Sequence, residues 1–292
     1  MEDFKPDLVH IDEEHYSAVT FQAAKIAARH GMPFVFQTWQ NIFKNYPLPF
    51  SAIERYVFSH SQAALAGTEE IQGVLRMKGF KKPIHIIPLG VDTDLFFPDH
   101  RREYRHQFGI QDRWAIGYIG RLVEEKGIYD LAAALIPILA THRDWVWVVA
   151  GSGDGESKLR GLVGPVQSQV LFIPWLGTED MARLMNSLNT LVVPSRTTPH
   201  WKEQFGRVLI EAMAVEVPVI AYDSGAIPQV VGDAGIVVRE GDVSALGNHI
   251  LHLAESPADT DRLREKGRER AFNHFSQKHV AEKIMAVYRT LL

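Results

Sequence analysis

The chain has no cysteine among its 292 residues. That removes disulfides, thiolate metal sites and a cysteine nucleophile, and it fits a reducing compartment. It contains no run of the roughly 18–20 apolar residues that a membrane-spanning helix needs. The opening Met1-Glu2-Asp3-Phe4-Lys5 lacks the pattern of a secretory leader. An excess of positive charge is missing too: 31 Lys and Arg against 35 Asp and Glu leave a net charge of −4, so no broad basic field for nucleic acid is present. None of the 13 histidines stands in an H-E-x-x-H or similar ligand spacing, so no metal is expected. No Gly-x-Ser-x-Gly elbow appears, which removes the usual hydrolase arrangement. These absences predict a cytoplasmic protein, with peripheral contact to a membrane surface left open.

A hydrophobic fraction of 46% and a charged fraction of 23% are enough to bury a core of useful size. The length suggests about two domains. Short apolar runs alternate with helical periodicity along the whole chain. Strands are expected at 7–11, 33–37, 62–66 and 84–87, with helices at 17–30 and 69–77. An aromatic stretch from Trp39 to Phe58 is interrupted by Pro47 and Pro49, so it cannot be one straight helix. It is a possible face for a lipid or glycan acceptor, although packing in the core explains most of it as well. Pro88-Leu89-Gly90-Val91-Asp92 through Pro98 reads as a connection, and the domain boundary is expected within 98–110. Alternation then resumes. Strands are expected at 114–120, 145–150, 170–173, 190–194, 218–222 and 235–238. Helices are expected at 127–140, 178–187, 206–215, 226–231, 243–255 and 258–273, with an amphipathic final helix at 277–292. Alternating strand and helix predict an α/β fold with parallel sheets.

One stretch carries chemistry. Trp201-Lys202-Glu203-Gln204-Phe205-Gly206-Arg207-Val208-Leu209-Ile210-Glu211 places two carboxylates on either side of a helix start. Backbone N–H groups at Gly206, Arg207 and Val208 form an anion site, and Gly206 lets a ligand approach the backbone. Carboxylate, amides and carboxylate follow one another as sugar, diphosphate and ribose do in a nucleotide-sugar. Three extended residues reach roughly 10 Å and five helical residues advance about 7.5 Å, which suits that ligand. Two solvent-facing glutamates on an ordinary helix explain the spacing equally well.

The ordered motifs go further. Gly120-Arg121-Leu122-Val123-Glu124-Glu125-Lys126-Gly127, then Glu203 to Ala214, Pro218-Val219-Ile220-Ala221, Asp223 to Pro228 and Gly235 to Val238 resemble the nucleotide-binding domain of retaining glycosyltransferases of family 4. Ile87 to Asp92 resembles that family's inter-domain connection. The resemblance implies a GT-B fold, two Rossmann-like domains with parallel sheets facing across a cleft, and an N-terminal domain that is apparently truncated. The implied divisions are 1–105 as a partial acceptor-side domain, 106–273 as the donor-binding domain, and 274–292 as a helix crossing back.

Each implied role has a physical basis. Arg121 and Lys126 leave the C-terminal end of a strand, and a guanidinium with an ammonium suits a diphosphate. Glu203 would hold sugar hydroxyls and Glu211 the ribose. Gly120, Phe205, Gly206, Arg207 and Val208 would line the donor. Trp175 ends another strand and would stack on the base or pack. Gly151-Ser152-Gly153-Asp154-Gly155 lacks the third glycine of a dinucleotide fingerprint and reads as a tight turn beside the donor. Where the family commonly has a histidine the chain has Asp12, which with Glu13 is a candidate for contact with sugar or acceptor. His10 reads as a strand residue, and Gln229 stands where the family often has glutamate.

The resemblance implies transfer of a sugar from a UDP- or GDP-sugar to an acceptor hydroxyl with retention, and no metal or resident cofactor. The acceptor is a glycan, a lipid-linked sugar or a small molecule. Family members carry βα units before the strand at Asp7. Either the chain is a fragment, or its first domain is reduced, or a second chain completes it, and self-association or a partner chain is expected at the exposed sheet edge. A donor-binding module without activity of its own is the alternative. Phosphorolysis is a weaker third reading, because no lysine stands in a cofactor-anchoring context.

Overall fold

The computed structural model describes residues 6–99 and 102–292. Residues 1–5, the leader position of the sequence reading, lie outside the described residues. The chain forms two compact units, Met1–Gly90 with Lys278–Leu292, and Val91–Gln277. The division falls at Gly90/Val91, earlier than the expected 105/106. Val91 sets it: its N–H donates to the Phe275 carbonyl (2.7 Å), and the Gln277 N–H donates to the Val91 carbonyl (3.0 Å). The connection is thereby bonded into the second unit, and 274–277 with it.

The first unit holds β1 (Val9–Asp12), α1 (Ala18–Arg29), β2 (Phe34–Thr38), α2 (Phe50–His60), β3 (Ala63–Ala66), α3 (Glu69–Met77) and β4 (Ile84–Ile86). The strands pair in parallel in chain order, β1-β2-β3-β4. Right-handed crossovers between consecutive neighbours put every connecting helix on the same face. That face is the core of Ile11, Phe34, Phe36, Ala64 and Ala66 against Ala24 and Ala27 of α1, Ile53 and Val57 of α2, and Ile71 and Leu75 of α3. The opposite face, Val35, Ala63 and Leu65, needs a different cover. It is supplied by the final helix, α12 (Gln277–Leu291), through Val280, Ile284, Val287 and Leu291. The aromatic stretch divides at its prolines: α2 begins directly after Pro49, and Ile53 and Val57 bury its inner side.

The second unit holds α4 (Arg102–Gln107), β5 (Trp114–Ile119), α5 (Ile128–Thr141), β6 (Trp145–Ala150), α6 (Glu156–Leu162), β7 (Val170–Ile173), α7 (Thr178–Met185), β8 (Thr190–Val193), α8 (Arg207–Ala214), β9 (Val219–Tyr222), α9 (Ile227–Val231), β10 (Ile236–Val238), α10 (Val243–Glu255) and α11 (Pro257–Phe275). Its six strands are parallel in the order β10-β9-β8-β5-β6-β7. β6, Trp145-Val-Trp-Val-Val-Ala150, is buried throughout, as a central parallel strand covered on both faces must be. Residues of α5, α6 and α10 cover one face with Trp147, Val149, Val192 and Tyr222. The chain winds outward from β5 to β7, returns to β8 beside β5, and winds the other way. The reversal lies between β5 and β8. In open α/β sheets ligands bind outside the carboxyl ends of the strands at such a switch point.

Candidate functional site

The carboxyl ends of β5 and β8 bring together segments that are far apart in sequence. After β5 the chain turns at Gly120, passes Arg121, makes a 3-10 turn at Glu124–Lys126 and enters α5 through Gly127 in the left-handed region (φ 69°). Gly127 is required there, because a Cβ would lie 1.7 Å from the Pro194 carbonyl oxygen beyond β8. The two loops are therefore in backbone contact. Arg196 adds a second tie by donating its N–H to the Glu125 carbonyl (2.8 Å). On the other side the 151–155 turn interlocks with the Lys126 loop: the Leu122 N–H donates to the Ser152 carbonyl (2.9 Å), and the Gly155 N–H to the Leu122 carbonyl (2.8 Å). The Tyr118 hydroxyl donates to the Arg121 carbonyl (2.6 Å), and burial pushes this phenol far up, so it stays a donor.

Two of the residues that the sequence pointed to meet directly. Lys126 Nζ donates to Glu203 Oε2 at 2.6 Å, across 77 residues of chain. The same oxygen accepts from the Ser195 hydroxyl at 2.8 Å. Glu203 is only 7% exposed and Ser195 is fully buried. The Glu203 backbone is pinned as well. Its carbonyl accepts from the Ala226 N–H (3.1 Å) and lies so close to Gly225 (φ 55°) that a Cβ there would sit 2.0 Å away. Ser195 is thus a part of the site that motif reading missed, and Ser224 and Gly225, inside the Asp223–Pro228 motif, are parts to which it gave no role. The signal for Ser195 was positional, since it directly follows Pro194 at the end of β8.

Gly206 occupies the N-cap of α8 with φ 78°, and no side chain caps this helix start. By contrast Ser17, Thr68 and Asp242 cap their own helices. The uncapped start leaves its amides to an anionic ligand. Glu211 sits one turn in. Rather than standing open, it is 7% exposed and accepts from Arg207 Nε at 3.0 Å. Burial, offset in part by the Arg207 guanidinium, pushes its carboxyl up to about 7. Phe205 is 3% exposed, its ring edge-on to Phe275 at 5.7 Å, so its side chain belongs to the core rather than to a ligand surface.

The remaining candidates are not gathered into this cluster. Arg121 is exposed beside Glu125 (3.7 Å). Trp175 is 65% exposed on the loop after β7. Asp12 and Glu13 are exposed at the end of β1, in the first unit. There the sequence reading missed Glu14, which bonds the Thr38 hydroxyl (2.6 Å) and the Trp39 N–H (2.8 Å). It also missed buried His15, which meets Glu54 (3.0 Å), itself paired with Lys78 (2.7 Å). His10 faces α12 and bonds the Tyr288 hydroxyl at 2.6 Å, while burial lowers its pKa. Gln229 gives its carbonyl to Arg270 (2.6 Å). Among the described residues no helix is long and apolar enough to cross a membrane.

Residues 100–270, which contain the whole Lys126–Glu203 cluster, match the family "Glycosyl transferases group 1". The chain belongs to that family. Residues 1–95 match "Glycosyltransferase Family 4". Among curated relatives, the capsular polysaccharide biosynthesis glycosyltransferase CapM of Staphylococcus aureus is 30% identical over 70% of this chain and 53% of its own length. The GDP-mannose-dependent monoacylated alpha-(1-6)-phosphatidylinositol monomannoside mannosyltransferase of Corynebacterium glutamicum is 30% identical over 70% and 55%. The chain therefore spans about half the length of these relatives. HepE of Anabaena, solved in complex with UDP, superposes with a TM-score of 0.85 at 19% identity, over 97% of this chain and 79% of that one. Sucrose-phosphate synthase of Thermosynechococcus elongatus gives 0.77 at 23%, over 99% and 75%. The fold is thus the GT-B type, two Rossmann-like halves with parallel sheets.

Proposed function

We propose that this glycosyltransferase-family chain moves a sugar from a nucleoside-diphosphate sugar to an acceptor hydroxyl, with retention of anomeric configuration. The observation that carries the proposal is the Lys126–Glu203 pair at 2.6 Å beside the uncapped start of α8, at the switch point of the second sheet. A diphosphate brings a more concentrated negative charge than one carboxylate. It draws the Lys126 ammonium, the α8 amides complete the anion site, and Arg121, exposed on the same loop beside Glu125, swings in to join them. Ser195 then retains its bond to Glu203, which keeps the carboxylate aimed while it accepts from sugar hydroxyls. Glu211 takes the ribose hydroxyls. Charge that develops on the leaving diphosphate falls on groups already in place, so binding and orientation do most of the work. The complex of HepE with UDP supports a uridine donor, and the named mannosyltransferase supports a guanosine one.

The site lies entirely within one compact unit, residues 91–277. That favours a second reading, a donor-binding module whose transfer depends on further elements or a partner chain. Two measurements on one preparation separate the readings: calorimetric titration with UDP and GDP, and a product assay with the matching nucleotide-sugar. Binding with turnover supports the enzyme, and binding without turnover supports the module. Binding of neither nucleotide would falsify both. Glu203→Gln should reduce transfer or hydrolysis of the donor while leaving the affinity for the free diphosphate near its original value. Equal losses would remove Glu203 from the sugar side.

A further inference from the structure

One side chain beside Lys126 has no part in holding a phosphate, a ribose or a sugar hydroxyl. Lys126 Nζ lies over the Trp201 ring, 4.7 Å from its centroid, while it donates to Glu203, the acceptor that it shares with Ser195. Trp201 is half-buried, unlike Trp147 in the core, which is fully enclosed. Its segment is fastened at several points. The Thr198 N–H donates to the Trp201 carbonyl (2.7 Å), and the Trp201 N–H returns a bond to the Thr198 hydroxyl (2.9 Å). Thr197 Oγ1 meets the Ser224 hydroxyl at 3.0 Å. Arg196 reaches Asp130 of α5 at 3.5 Å. A closed turn tied to the loops after β5 and β9 therefore presents a partly exposed indole to the ammonium.

We infer that Trp201 is a specificity-determining residue for the donor, its indole face receiving the apolar C–H face of a pyranose whose hydroxyls Glu203 holds. The inference rests on the donor reading above. A pyranose has two kinds of surface, a rim of hydroxyls and a face of C–H groups. Glu203 answers the first, and two residues away Trp201 answers the second, because an aromatic ring combines a broad apolar face with little conformational freedom. Chemistry also fixes the place. The anomeric carbon is one oxygen away from the β-phosphorus, so a sugar whose diphosphate engages Lys126 lies among the groups surrounding that lysine. When the ammonium turns to the phosphate, the ring face it covered is presented to the sugar. Until then the cation on the ring and the carboxylate holds all three groups in register.

Calorimetry on the full chain tests this with Trp201→Leu and Trp201→Phe, each checked by thermal melting against the original protein. The probes are UDP, GDP, UDP-glucose and GDP-mannose. The Leu variant should bind the free diphosphates within about twofold of the original and lose about tenfold in affinity for the nucleotide-sugar, with the Phe variant in between. An equal loss for diphosphate and nucleotide-sugar would reduce Trp201 to an anchor for Lys126 and overturn the inference, as would unchanged affinity for every probe. No binding of any probe by the original chain would overturn the donor reading, and the inference with it.

Discussion

The two sheets are built from the same strand-helix alternation, yet among the described strands only the second sheet departs from chain order. In the first unit β1 to β4 pair in chain order, the helices between them fall on one face, and the described strands contain no reversal. In the second unit the order reverses between β5 and β8. The helices that follow those two strands, α5 and α8, take opposite faces of the sheet, and the loops that lead to them meet at Gly127 and Pro194. The acids at the two carboxyl edges differ accordingly. Glu14 is bonded to the Thr38 hydroxyl and the Trp39 N–H, groups of the adjoining strand end that do not move away. Glu203 shares its oxygen between a buried hydroxyl and the ammonium of a flexible lysine, a partner that a stronger anion can draw off. A carboxylate satisfied by backbone and hydroxyl holds a fold together. One held against a mobile cation, at a switch point, is poised for exchange.

Exchanging the two lysines for alanine should break the comparison most sharply. Lys78 is nearly buried against Glu54. Lys78→Ala should cost about 3–5 kcal/mol in unfolding free energy by denaturant titration, because it strands a buried charge. Lys126→Ala also strands a buried carboxylate, that of Glu203, and should destabilise the fold as well, but of the two only Lys126→Ala should raise the barrier to donor cleavage, by ~2.7–4 kcal/mol, two to three decades in rate. Lys126→Arg should not restore the rate, since a planar fork is not a point charge.

Glu211 gives the next effect, read against pH. Its folded pKa of about 7 lies above its value of 4.5 in an unfolded chain. Between those values the folded chain holds a proton that the unfolded chain has released, so stability is fully present below about pH 4.5 and declines as pH rises through 7. The loss amounts to at most about 3 kcal/mol. Glu211→Gln should flatten the thermal-melt profile from pH 5 to 8, and an unchanged slope would assign the decline elsewhere. The same substitution should weaken binding of the free nucleoside diphosphate, where Glu203→Gln should not.

Smaller effects sharpen the contrast between the acids. Glu14→Ala leaves the Trp39 N–H and the Thr38 hydroxyl without their acceptor, and should cost about 1–3 kcal/mol in unfolding free energy. Its nucleotide affinity, measured by calorimetry, should stay unchanged. Ser195→Ala removes a bond that holds Glu203 Oε2 and should slow donor cleavage by about tenfold, the equivalent of about 1.4 kcal/mol, with little change in nucleoside-diphosphate affinity. A Ser195→Ala chain that loses diphosphate binding instead would show that the hydroxyl serves the loop rather than the carboxylate.

Much of the site was legible because its residues sit in one short stretch with a functional order. Glu203, Gly206 and Glu211 could be placed on a loop, at a helix start and inside the first turns from spacing alone, and α8 begins at Arg207 as that reading requires. What Glu211 does there was not legible. Its burial depends on packing around α8, and its pairing with Arg207 is an i, i+4 contact that periodicity permits but does not select. Ser195 and Trp201 escaped for a related reason. A lone serine after a strand and a tryptophan in a loop have no pattern of their own, and they gain meaning only from the lysine that arrives from 75 or so residues earlier. The helix Phe50–His60 was hidden by the prolines before it, although Phe50, Ile53 and Val57 carry the helical spacing.

The sequence by itself determined the class of most long elements, Phe50–His60 excepted, along with the parallel α/β architecture and the presence of an uncapped helix start between two carboxylates. These are local properties: apolar period, β-branched runs, glycine at a left-handed position, and the N–H groups that any helix leaves unbonded. Tertiary structure alone decided which strands became neighbours, and so where the reversal fell. It also decided that Gly127 lies against Pro194 and Gly225 against Glu203, that Lys126 and Glu203 meet, and that the final helix covers the face left bare by one-sided crossovers. Those outcomes depend on contacts between residues distant in the chain, which no local period encodes, and they follow from burying each sheet on both faces while keeping every backbone approach sterically allowed.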